Sequence, residues 1–497
     1  MDPIVWTRPG ALRGRLVDGV SAFLGIPYAA PPFGAARLRP PQPVAPWSGV
    51  RDAIAFGPKS PQPVYPPAMA RLLPELTMGG EDCLSLNVWT PQLGGGAARP
   101  VMVWIPGGAF AHHATGASPW YDGSRFARDG VVCVTINYRV GADGFLSLRE
   151  GHANRGLLDQ LAALRWVRDE IAAFGGDPDQ VTIFGESAGA MSVATLLASP
   201  RARGLFSRAI AQSGAAHHVI SPATAQRVAT RFAELLGVPA TREAVAAVPI
   251  DRLLETQVQL EAELAAWPDP QRWGPEVALT GMAWQPVIDG DLVPAAPLER
   301  IAAGASADVE LLLGTNVDEH RLFLVTSGAI DQVTIEAVAD VIAAYGLSPE
   351  PTLAAYRAAH PRASPGDLLA IVQTDWFWRL PALRLAEAHA PHPGATFMYE
   401  FTWPSPQLGG RLGACHGLEI PFVFDTLGQG TEPLLGPHPP QALADAMHAA
   451  WVRFAVHGDP GWPRYELPRR TTMRLGLASE AVDDPRKAER TLWYGVR

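Results

Sequence analysis

The chain has 497 residues, 47% hydrophobic and 18% charged, with a formal net charge of −9. That acidic balance argues against nucleic acid or an anionic membrane as a partner, since both need a basic surface. Three cysteines (Cys83, Cys133 and Cys415) are too few, and odd in number, for a disulfide framework.

A chain of this size buries a large core without covalent staples. No apolar run approaches the length of a membrane helix, and the start, MDPIVWTRPGALRGRL, has no apolar leader core. The expectation is a cytoplasmic monomer with three free thiols.

In chain order, the first ninety residues read as short strands and Pro-rich loops. Residues 84–91 alternate like a strand, and the continuous apolar runs at 101–106, 131–138, 181–186, 309–315 and 396–401 predict strands buried on both faces. Helical spacing appears at 157–173, 223–237, 380–390 and 440–457. Strands alternating with helices predict an α/β fold, a mostly parallel sheet flanked by helices. The stretches 216–308 and 320–395 are expected as helical insertions capping one end of the sheet, within a single domain.

Chemistry concentrates at Gly185-Glu186-Ser187-Ala188-Gly189. The spacing G-x-S-x-G, with a β-branched strand before it and a helix predicted after it at 188–198, is that of a nucleophile elbow. The two glycines are required because side chains there would strike the turn and the neighbouring strand. A bare Ser N-cap is the bland alternative, and the strand–turn–helix context weighs against it.

A serine nucleophile needs a histidine base and an orienting carboxylate, which in this fold follow in the order serine, acid, histidine. Among the later histidines, His416 lies in the Gly-rich GACHG loop before an apolar segment, and His320 is its rival. The loop after strand 309–315 offers Asp318 and Glu319, between which composition does not choose. The early strand runs into Gly107-Gly108-Ala109-Phe110, whose exposed N–H groups, with that of Ala188, suit an oxyanion hole.

These residues resemble the type-B carboxylesterases, which include cholinesterases and bacterial para-nitrobenzyl esterases. The resemblance is carried by EDCLSLNVWTP at 81–91, FGGDPDQVTIFGESAG at 174–189, GLFSRAIAQSG at 204–214 and LGIPYAAPPFGAARLRPPQP at 24–43. It implies an α/β-hydrolase fold and a serine carboxylesterase acting on small esters without metal or organic cofactor. It also implies Glu319 as the acid, His416 as the base, and Gly108, Ala109 and Ala188 as oxyanion donors. Glu186 and Ser213 are then expected as supporting groups, Ser213 as a partner of the acid. Phe110, Phe323, Trp376 and Phe377 are expected to line the substrate pocket. Ser85 stands where the family usually has an aromatic, and Ala109 where cholinesterases have glycine. Amidase, carbamate-hydrolase or acyltransferase chemistry is compatible with the same residues; the family's non-enzymatic adhesion members lack the serine. The pairs His112-His113 and His217-His218 lack the spaced third ligand of a zinc site. His112 and His113 follow the oxyanion loop closely enough to be expected near substrate.

Overall fold

The computed structural model describes residues 2–496 apart from 95, 97 and 150. Eleven strands form the main sheet: β1 (Arg15–Val17), β2 (Val20–Pro27), β3 (Ser85–Thr90), β4 (Arg99–Ile105), β5 (Val132–Ile136), β6 (Gly176–Glu186), β7 (Arg208–Gln212), β8 (Glu310–Asn316), β9 (Thr396–Phe401), β10 (Thr471–Leu475) and β11 (Glu480–Asp483). Their spatial order is β11-β10-β9-β8-β7-β6-β4-β5-β3-β2-β1. The run from β10 to β5 is parallel throughout, and the strands at both margins are antiparallel. A three-stranded sheet of Ile4–Trp6, Ala11–Arg13 and Val50–Asp52 lies apart from it.

The period of two along each strand divides the core. Val101, Val103 and Ile105 of β4 enter one buried cluster, with Leu157, Leu161 and Val193. Met102 and Trp104 enter the other, with Phe126, Trp451 and Phe454. Helices Arg155–Glu170 and Ala188–Ala198 cover the first face; Ser124–Arg128 and Gln441–His457 cover the second. Both faces of the central strands are therefore dry, which is why they read as unbroken apolar runs. Every predicted strand forms, with ends moved by a few residues. Strand β7 was not predicted: its five residues, RAIAQ, are too short and too Ala-rich to signal a strand.

Between β7 and β8 lie six helices, and between β8 and β9 lie five joined by a π-helical turn, Asp375–Arg379. Not all of them cap the sheet. Pro297–Ala302 packs on Ala188–Ala198, and Leu380–His389 packs on β8 and β9, so these two belong to the flanking layer. Ser85 is buried against Gly57, where a Cβ would meet its hydroxyl, so the small residue is matched by a small neighbour. Cys83, Cys133 and Cys415 are free and buried. Among the described residues no helix is long and apolar enough to cross a membrane.

Candidate active site

The parallel strands deliver their C-terminal ends to one edge, and β6 ends there in the elbow. Ser187 sits between β6 and helix Ala188–Ala198 at φ 55°, ψ −125°. Such a conformation costs a non-glycine residue about 1–3 kcal/mol and persists only where neighbours enforce it. Here Ser187 N donates to Gln212 O on β7 (3.0 Å), and Ser187 O accepts from Met191 N (2.9 Å). A Cβ on Gly185 would stand 2.6 Å from Ile105 O, and one on Gly189 would come closer still. The glycines of the motif thus let the elbow press against the end of β4.

Strand β8 ends in the loop that carries the two candidate acids, Asp318 and Glu319. Glu319 is fully buried; its Oε2 accepts from His416 Nδ1 at 2.7 Å and its Oε1 from Asn316 N at 2.8 Å. Asp318 points elsewhere: its Oδ2 accepts from Ala414 N (3.0 Å), and its backbone N–H donates to Ala414 O (3.0 Å), which fastens the histidine loop to the acid loop. Gly413, at φ 60°, has no Cβ to collide with that carboxylate. The geometry therefore separates the two carboxylates that composition left equal. It separates the two histidines as well. His320 Nδ1 accepts from Trp378 Nε1 at 3.4 Å, and its ring lies against Phe323 and Phe377.

The second imidazole nitrogen, His416 Nε2, is 3.1 Å from Glu186 Oε1. That approach is close in distance but poorly aligned for a hydrogen bond, since Glu186 Oε1 has no hydrogen-bond partner among the described residues. Among the described residues no hydrogen bond runs from Ser187 Oγ to the ring; a bond between a serine nucleophile and its base often tightens only with substrate. Ser213, expected beside the acid, does not serve it here. Its hydroxyl is buried without a hydrogen-bond partner among the described residues.

Sequence reasoning missed the group that braces this pair. Asn316 Nδ2 donates to Cys415 O (2.8 Å) and to Glu419 Oε2 (2.7 Å), and Glu419 Oε1 accepts from Gln212 Nε2 (3.2 Å). Gln212 in turn accepts from Trp451 Nε1 (2.9 Å). Asn316 and Glu419 are neighbours of predicted site residues in sequence, and their polarity inside buried segments was the available signal.

Gly108, Ala109 and Ser187 line one cavity of about 350 Å³. Among the described residues the N–H groups of Gly108, Ala109 and Ala188 donate to no protein acceptor. Gly107 makes room for the elbow: a Cβ there would meet Glu186 O at 2.6 Å. Phe323 and Phe377 line the cavity as expected, together with Trp378, Met282, Tyr65 and Tyr121. Two expected lining residues do not. Phe110 is buried against Phe145 (4.8 Å between rings), and Trp376 stacks on Tyr345 (4.1 Å, 2° between planes). The π-helical turn explains the second miss, because it changes which faces residues 376–378 present.

The model of the Carboxylesterase family matches residues 1–493. The chain is 37% identical to para-nitrobenzyl esterase of Bacillus subtilis, with 98% of this chain and 97% of that one covered.

The chain belongs to the carboxylesterase family.

Phenmedipham hydrolase of Pseudarthrobacter oxydans is also 37% identical, with 95% of each chain covered. The crystal structure of the Geobacillus stearothermophilus carboxylesterase EST55 at pH 6.2 superposes with a TM-score of 0.86 at 38% identity, covering 99% of both chains. The protein is thus a carboxylic-ester hydrolase of α/β-hydrolase fold.

Electrostatics in this carboxylesterase are dominated by three buried carboxyls around one imidazole. Burial works against the charged ring, but Glu186, Glu319 and Glu419 outweigh it and raise His416 to about 9. Burial likewise pushes Glu186 well above the usual carboxylate range, against the pull of His416. A ring that serves as the expected base must be neutral to accept a proton, so kcat/KM should rise with pH through the His416 pKa. Glu186→Gln removes the strongest of the raising charges and is expected to move that rise to lower pH. A pH profile that stays in place would count against this coupling. Burial holds Cys415 well above the usual thiol value, so it is no thiolate nucleophile beside His416. Among the described residues no three His, Cys, Asp or Glu side chains cluster so as to hold a metal ion.

Proposed function

We propose that Ser187, His416 and Glu319 hydrolyse neutral carboxylic esters with apolar acyl or alcohol groups through an acyl-enzyme. The observation that carries this reading is the 2.7 Å contact between His416 Nδ1 and Glu319 Oε2, in a cavity shared with the elbow serine. His416 Nε2 takes the Ser187 proton as Oγ attacks the carbonyl carbon, and Glu319 stabilises the imidazolium. The N–H groups of Gly108, Ala109 and Ala188 receive the oxyanion. As the tetrahedral intermediate collapses, His416 returns the proton to the leaving alcohol. Water then attacks the acyl-enzyme by the same path, releasing acid and free Ser187.

The walls support the substrate class. Apart from His416 itself, the histidines of the cavity offer no cation to an acidic ester: burial lowers His113 to about 4 and His320 to about 3. Aromatic rings and methionines make up much of the remaining surface. A kinetic panel of para-nitrophenyl esters, varied separately in acyl length and in terminal charge, tests this. Apolar acyl chains should exceed carboxylate-ended chains of equal length in kcat/KM; equal rates, or a preference for the acid, would overturn the reading. Phenmedipham belongs in the same panel, because a relative at 37% identity bears its name.

Trp378 stacks on Phe323 at 7° and lies 4.2 Å from the His416 ring, so it closes the cavity beside the base. Trp378→Ala is expected to raise kcat/KM for bulky esters relative to acetates by about tenfold, the scale of a few buried methylene contacts. Rates that fall equally for both would assign Trp378 to holding the imidazole. Three unpaired cysteines support a reducing, cytoplasmic setting.

A further inference from the structure

The oxyanion loop is strained. Gly108 (φ 104°), Ala109 (53°), Phe110 (58°) and His113 (48°) all lie at positive φ, and three of them are not glycine. Such a loop keeps its shape only where neighbours over-determine it. The decisive unit is the peptide between Gly108 and Ala109. Its carbonyl, Gly108 O, accepts from Ala111 N (2.9 Å) and His112 N (2.8 Å). A trans peptide is planar, so the Ala109 N–H points away from those two donors. Holding His112 in place therefore aims the Ala109 N–H.

The His112 side chain is itself held, though it takes no part in lining the cavity; only His113 of the pair does so. Its Nδ1 is 3.2 Å from Pro63 O, its Nε2 is 3.3 Å from Glu261 Oε2, and Tyr65 stacks on it at 5.4 Å. Glu261 stands on the long helix Ile250–Ala266, and its other oxygen accepts from the buried Trp284 Nε1 at 2.9 Å. Met282, two residues before Trp284, lines the cavity. Glu261 thus ties the oxyanion loop to the cap. None of the steps of ester hydrolysis uses either side chain.

We propose that His112 is a positioning residue for the oxyanion hole, clamped by Glu261 from the cap helix. The inference rests on reading Gly108 and Ala109 as oxyanion donors. The hole acts on the tetrahedral intermediate more than on the bound ester, so a loosened clamp lowers kcat and spares KM. The loss is the same for short and long acyl groups, unlike that of a pocket residue.

The test measures His112→Ala, Glu261→Ala and Glu261→Gln on para-nitrophenyl acetate and butyrate, with the binding of a trifluoromethyl ketone and its matching methyl ketone. Both alanine variants should lose about 10- to 100-fold in kcat on both esters, the scale of a misplacement near 1 Å, with KM unchanged. Trifluoromethyl ketone affinity should fall by the same factor. Glu261→Gln should recover most of the loss, since its amide can donate to His112 Nε2 and still accept from Trp284. Unchanged kcat in the alanine variants, a rise in KM alone, or no recovery with glutamine would overturn the proposal. If His112→Ala does not fold, the two variants at Glu261 decide the matter. If the unaltered enzyme binds the two ketones equally, the oxyanion reading itself fails, an outcome distinct from the loss of the clamp alone.

Discussion

Ser187→Ala is expected to lower kcat for ester hydrolysis by about 10⁶-fold, the loss seen when a triad nucleophile is removed. The fold should survive, because the hydroxyl takes part in none of the hydrogen bonds that hold the elbow. Those run through the Ser187 backbone, from N to Gln212 O and from Met191 N to O. Covalent labelling by a fluorophosphonate should vanish in the same variant, and intact-protein mass would show it. His416→Ala should cost nearly as much, since nucleophile and base act as a unit and their losses do not add. Retention of more than about a tenth of the rate by either variant would contradict the assigned roles.

The second large effect separates adjacent carboxylates. Glu319→Gln should lower kcat by about 10⁴-fold, because a neutral amide holds the imidazole without stabilising its cation and can select the wrong tautomer. Asp318→Asn should leave kcat near that of the unaltered enzyme. Its side-chain oxygen can still accept from Ala414 N, and the ion pair with Arg321 (3.4 Å, partly exposed) is worth at most about 1 kcal/mol. Steady-state kinetics on one ester, with a melting curve for each variant, checks both. A severe loss in Asp318→Asn with an unchanged melting curve would reverse the assignment.

Much of this was legible in the chain, and the limits have physical causes. Central strands showed as apolar runs because both sheet faces are covered, whereas β7 was hidden: RAIAQ is short and Ala-rich, and it is the pairing with β6 and β8 that marks it as a strand. In the pocket, Phe323 and Phe377 line the cavity as the resemblance implied, whereas Phe110 packs on Phe145 and Trp376 on Tyr345, and Trp378 lines it without having been expected. The Ser213 hydroxyl, expected beside the acid, has no hydrogen-bond partner among the described residues.

By itself the sequence determined the elbow. A serine flanked by two glycines, after a β-branched strand and before a helix, permits few backbone paths, and local sterics select one. The residue pattern left Asp318 open against Glu319 and His416 against His320, and the family resemblance pointed to Glu319 and His416; the tertiary structure brings that pair into contact and surrounds it with Glu186 and Glu419. Those contacts depend on how the ends of β6, β7, β8 and the loop after β9 meet in space. The distances that fix them join residues such as Asn316 and Glu419, 103 apart in the chain, which no local pattern encodes.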